Sequence, residues 1–80
     1  MRLDKYLKVS RLIKRRTVAN EACDGERVYV NGRPAKASYD VKVGDRLELH
    51  FGARTLCVEV LAVAEAVRKD DASAMYREIS

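Results

Sequence analysis

The chain has 80 residues, 48% of them hydrophobic and 35% charged, with a formal net charge of +4. That supports one small globular core, excludes a disordered chain, and leaves no apolar run near the ~20 residues needed to cross a bilayer and no signal peptide behind the basic N-terminus. Two cysteines, Cys23 and Cys57, one histidine and no tryptophan leave little material for a disulfide framework, a metal centre or imidazole chemistry, so a cytoplasmic binding module without cofactor, metal or catalytic residues is expected.

Leu3, Tyr6, Leu7 and Ser10 fall on one face of a helix over residues 2–9, with Asp4 in its first turn. A second helix is predicted over 18–24. Thr17 is its N-cap, Asn20 leaves the capping box incomplete, Val18, Ala19, Ala22 and Cys23 form its apolar stripe, and Gly25 is the stop signal. Alternation then takes over: Val28 and Val30 mark a strand, Asn31-Gly32 a tight turn, and Arg33-Pro34-Ala35 a short edge strand limited by the proline. Residues 36–45 read as a loop closing on Gly44-Asp45. Leu47, Leu49 and Phe51, then Leu56, Val58 and Val60, predict a hairpin around Gly52. Residues 64–71 are polar and charged, and Ala72, Met75, Tyr76 and Ile79 have the spacing of a short terminal helix. The fold class is α+β: two short N-terminal helices on a small antiparallel sheet with a short C-terminal helical tail. The expected division is a domain over 1–62 and a polar connector and tail over 63–80.

Charge is distributed unevenly. Residues 1–16 hold Arg2, Lys5, Lys8, Arg11, Lys14, Arg15 and Arg16 against the single acid Asp4, whereas residues 17–80 hold nine basic and eleven acidic residues. A basic segment on a mildly acidic body is the footprint expected for a polyanion.

Several residues then align with a known pattern. Arg2-Leu3-Asp4, Leu7, Arg16-Thr17, Ala19, Arg27-Val28, Val30-Asn31-Gly32, Ala35-Lys36 and Val43-Gly44-Asp45 resemble, in order and spacing, the ribosomal-protein-S-four-like RNA-binding domain, or alpha-L motif. The resemblance spans about residues 1–51. The segment Arg2 to Thr17, Lys36-Ala37-Ser38, Phe51-Gly52 and Met75-Tyr76 are most similar to the ribosome-associated quality-control protein P subgroup. The heat-shock branch of the family carries an extra basic tail, for which this sequence has no counterpart. Glu26 stands where the family usually has glycine, so the backbone of residues 24–27 is expected to differ.

The resemblance implies a non-enzymatic factor on large ribosomal subunits obstructed by peptidyl-tRNA. There it would contact large-subunit rRNA and P-site tRNA beside an elongation-like factor that adds C-terminal tails. RNA-binding residues are then expected at Arg2, Asp4, Lys8, Arg11, Lys14, Arg15, Arg16 and Lys36. Arg2 and Arg16 come first, because a guanidinium offers a phosphate a planar fork. Asp4 either orients one of these arginines, accepts from a 2′-hydroxyl, or only stabilises the first helical turn. For Lys8, Arg11, Lys14 and Arg15 the alternative is a solvated charge, and for Lys36 and Ser38 ordinary loop solvation. Asn31 and Gly32 are expected to shape the turn, Tyr6 to pack in the core, His50 to lie on the strand surface, and Tyr29 and Tyr39 to be available for stacking. A role in ribosome assembly or heat-stress rescue, a DNA-binding regulator, an RNA-modifying enzyme and a protein adaptor are the rival readings. The strand-rich second half argues against the regulator, the missing catalytic constellation against the enzyme, and the basic segment against the adaptor.

Overall fold

Leu3, Tyr6 and Leu7 lie one turn apart, and helix α1 (Leu3–Val9) buries all three. The computed structural model describes residues 1–79. Past α1 the chain passes through Arg11 in the left-handed region (φ 63°), and the Ile13 N–H returns to the Leu7 carbonyl at 3.1 Å. Helix α2 (Arg16–Asp24) buries Ala19 and Cys23 but leaves Val18 47% exposed. It begins earlier than its sequence signals suggest. Arg15, not Thr17, is the N-cap, and it makes no side-chain cap bond, because a guanidinium has no acceptor to offer a backbone N–H; the Asn20 amide is turned to Asp4.

The exit from α2 also departs from the signal. Gly25 has an ordinary φ of −84° and Glu26 takes the left-handed conformation at φ 62°. The positive φ therefore sits where the family places glycine, but a glutamate adopts it.

Strands β1 (Val28–Val30), β2 (Arg33–Pro34), β3 (Arg46–Phe51), β4 (Arg54–Val60) and β5 (Tyr76–Glu78) form one antiparallel sheet in the order β2-β1-β3-β4-β5. Pro34 lies in the two-residue edge strand, where a missing N–H costs no ladder bond. Val28, Val30, Leu47, Leu49, Val58 and Val60 point inward and share one core with Leu3, Tyr6, Leu7 and Cys23. Asn31 (φ 53°) and Gly32 (φ 87°) make the turn between β1 and β2, the paired positive values that a two-residue hairpin requires. The Asn31 side chain also reaches the other tight turn: its amide donates to Asp45 Oδ1 at 3.1 Å, and its oxygen accepts from the Arg46 N–H at 3.0 Å.

The C-terminal segment differs from the expected helical tail. Residues Lys69–Met75 form a 3₁₀ turn that buries Ala72 and Met75, and Tyr76–Glu78 then pair with β4. Ala72 and Met75 are three apart, a spacing that suits three residues per turn as well as an α-helix. The open edge of β4 then claims the next residues as a strand. Residues 63–79 thus supply part of the core and the fifth strand.

Candidate nucleic-acid interface

Asp4 is the organising residue. Its carboxylate is only 3% exposed, yet it is ionised, because donors from both helices surround it. Arg2 Nε and Nη2 donate at 3.1 and 3.4 Å, Arg16 Nε and Nη2 at 3.4 and 3.5 Å, Asn20 Nδ2 at 3.2 Å, and the Lys5 backbone N–H at 2.8 Å. Burial acts to raise its pKa. The hydrogen bonds from Arg2, Asn20, Arg16 and the Lys5 backbone more than offset that, and hold it at about 2. Both carboxylate oxygens are occupied, so Asp4 orients the arginines and secures its own helical turn; it has no free acceptor for a 2′-hydroxyl.

Arg2 and Arg16 are half exposed at 51% and 49%. Each spends its Nε and Nη2 edge on Asp4, and neither Nη1 has a partner among the described residues. Two guanidiniums on one buried anion lose much of their rotamer freedom and present free N–H groups outward. The first backbone N–H groups of α2 lie beside them without a side-chain cap.

The loop over 36–45 completes this side of the protein. Asp4 N–H donates to the Ala37 carbonyl at 3.2 Å and Leu3 N–H to the Tyr39 carbonyl at 2.8 Å, while Asp24 Oδ1 accepts from the Ala37 N–H at 3.1 Å. The exposed Lys36 is thereby fixed near the start of α1. Lys14 and Arg15 are exposed in the link between the helices. Lys8 lies one turn after Asp4, and with Arg11 it lines a shallow cleft against Glu65, Ala66 and Val67, apart from the arginine pair. Lys5 is ion-paired with Glu65, so with Arg2 and Arg16 on Asp4 three of the seven N-terminal cations have an acidic partner.

The remaining candidates fall into place. Tyr6 is fully buried and Gly32 shapes its turn. Tyr39 is committed to Asp45 Oδ2 at 3.0 Å, with its pKa raised by burial and by that carboxylate. Tyr29 is half-buried and meets the His50 ring edge-on at 5.1 Å. Ser38 is exposed. Burial, with Asp4 and Asp24 nearby, pushes the Cys23 thiol up to about 12, so it stays protonated and unreactive. Asn20 is the functional candidate that sequence reasoning missed. An asparagine inside a helix is a poor former unless its side chain has a partner, and that was the available signal.

The profile of the S4 domain family matches residues 1–47, more than half of the chain. The protein belongs to the S4 domain family. It is 56% identical, over its whole length and 91% of the relative, to the RQC P-site tRNA stabilizing factor of Streptococcus pneumoniae. The protein of the same name from Halalkalibacterium halodurans is 57% identical over 95% of this chain and 86% of its own. Among solved structures, trimeric heat shock protein 15 of Vibrio cholerae superposes with a TM-score of 0.92 at 31% identity, over 100% of this chain and 82% of that one. The S4 domain thus carries the expected α+β fold, with β5 in place of the helical tail. No helix among the described residues is long and apolar enough to cross a membrane.

Proposed function

We propose that this S4-domain protein is a non-enzymatic cytoplasmic factor that binds large ribosomal subunits obstructed by peptidyl-tRNA. It contacts rRNA and P-site tRNA and supports C-terminal tailing of the nascent chain by an elongation-like factor. The observation that carries this reading is the full-length similarity to a relative named for stabilising P-site tRNA in ribosome-associated quality control. The geometry supports it. Structured RNA exposes phosphates and 2′-hydroxyls rather than base edges, and fixed cations read such a surface. Arg2 and Arg16, oriented by Asp4, form the centre of the interface, with Lys14, Arg15 and Lys36 around them and Lys8 and Arg11 extending it along α1. Residues 1–62 are the RNA-binding unit and residues 63–80 its support.

The likeness to heat shock protein 15 favours a second reading, ribosome assembly or heat-stress rescue. Pull-down of the tagged protein from cells with sequencing of bound RNA separates the two. Large-subunit rRNA together with tRNA supports the quality-control role, rRNA without tRNA supports the alternative, and no enrichment of either removes both. Affinity for purified subunits also falls steeply with salt on this reading, by a log–log slope of about 0.7–0.9 per phosphate contact.

A further inference from the structure

We propose that Asn20 is the residue that distinguishes RNA from DNA at the arginine pair, by accepting a hydrogen bond from a ribose 2′-hydroxyl. The inference rests on the RNA-binding reading and deepens it.

Asp4 is ionised and can only accept, so the Asn20 amide must turn its NH₂ toward it, as the 3.2 Å contact records. The chemistry of the neighbour therefore fixes which way the amide points. Oδ1 is held facing away from Asp4, and no donor among the described residues reaches it. Asn20 itself lines a shallow groove together with Asp4, Arg16, Thr17 and Glu21. Among the described residues, the acceptors left unengaged there are the Asn20 oxygen, the Thr17 hydroxyl and the Glu21 carboxylate, and they lie beside the free Nη1 of Arg16.

This is an acceptor-rich floor beside two cations. A phosphate suits the arginines but gains nothing from Asn20 Oδ1, and Glu21 repels it from the groove. The matching ligand carries a hydrogen-bond donor a short step from an anion. Arg16 and Asn20 are four residues apart on α2, with Cβ atoms roughly 6 Å apart, about the span from a phosphate to the ribose it is joined to. RNA supplies a 2′-hydroxyl at that place and DNA does not. The arginines then give affinity and Asn20 gives discrimination.

The test compares binding of a tRNA transcript and a DNA of the same sequence to the full chain at one salt concentration. Parent, Asn20→Ala and Arg16→Ala proteins are used, with melting curves as the control for folding. The parent prefers RNA. Asn20→Ala shrinks the RNA-to-DNA ratio by about three- to tenfold, the worth of one hydrogen bond, whereas Arg16→Ala weakens both ligands together. Loss of DNA affinity in Asn20→Ala reports only looser arginines; the ratio reports the hydroxyl contact. Single 2′-deoxy substitutions in the transcript give a second measurement: one that weakens the parent has no effect on Asn20→Ala. Equal weakening of RNA and DNA in Asn20→Ala, or no change in either, overturns the proposal while leaving RNA binding standing. Failure of the parent to bind the transcript overturns the RNA-binding reading and this inference with it.

Discussion

The Tyr6 hydroxyl donates to the Met75 carbonyl at 2.8 Å and ties the first helix to the end of the chain. The same carbonyl accepts the backbone N–H groups of Leu61 and Ala62 at 2.8 and 3.1 Å. Burial holds the Tyr6 phenol protonated, so the donor is present at all ordinary pH values. One buried oxygen thus joins α1, the segment after β4, and the 3₁₀ turn leading into β5.

Tyr6→Phe leaves the Met75 carbonyl with two donors, so it costs only about 1 kcal/mol. In a domain of this size that lowers the melting temperature by about 4–8 °C. Met75→Ala empties a buried site and costs about 2–5 kcal/mol. Removing residues 63–80 exposes Tyr6 and the β4 edge together, so the truncated chain should show no cooperative melting transition. A truncated chain that melts like the parent would show that the tail is dispensable for the fold.

Asp4 makes stability depend on acid. Its folded pKa is about 2, below the ordinary 3.8, so its contribution is complete above about pH 4 and is lost as pH falls toward 2. The shift corresponds to about 2 kcal/mol. Asp4→Asn removes the titrating group and leaves Arg2 and Arg16 without their anion. The variant should be less stable at pH 7 and lose less stability than the parent between pH 4 and pH 2, measured by urea unfolding at each pH. An unchanged acid profile would place the sensitivity in other carboxylates.

Glu26 and Gly32 test the two positive-φ positions in opposite directions. Glu26→Gly relieves a side chain held at φ 62° and should raise stability by up to about 1 kcal/mol, the left-handed penalty less the entropy of an extra glycine. Gly32 has φ 87°, and a Cβ there would meet nothing within 4 Å. Gly32→Val is therefore disfavoured by backbone conformation and not by crowding, and it should lower the melting temperature of the RNA-free protein. Intact melting with lost RNA binding would make this turn a contact surface and not a scaffold.

Arg16 and Arg15 separate geometry from charge. Arg16 shares Asp4 with Arg2, whereas Arg15 is the exposed N-cap residue of α2. Lysine cannot span Asp4 with one edge and a phosphate with the other. Arg16→Lys should therefore weaken co-sedimentation with large subunits about tenfold or more, for the loss of one or two charge-assisted bonds, and Arg15→Lys should change it little. The reverse order of effects would assign the fork to Arg15.

Periodicity and turn chemistry determined most of the architecture. Leu3, Tyr6 and Leu7 mark a helix because only a 3.6-residue period puts them on one face, and Asn31-Gly32 marks a turn because few other pairs accept positive φ twice. The concentration of cations before Thr17 likewise announced a polyanion surface. Tertiary structure decided the rest, because those choices depend on partners distant in the chain. Whether Met75-Tyr76 continued a helix or began a strand rested on the unpaired edge of β4, and Glu26 is held in a left-handed conformation between α2 and β1. Asp4 offered three roles in sequence. Only the approach of α2, with Arg16 and Asn20 brought against it, made it a buried anion that orients two arginines, since a carboxylate takes its role from the donors that surround it once water is excluded.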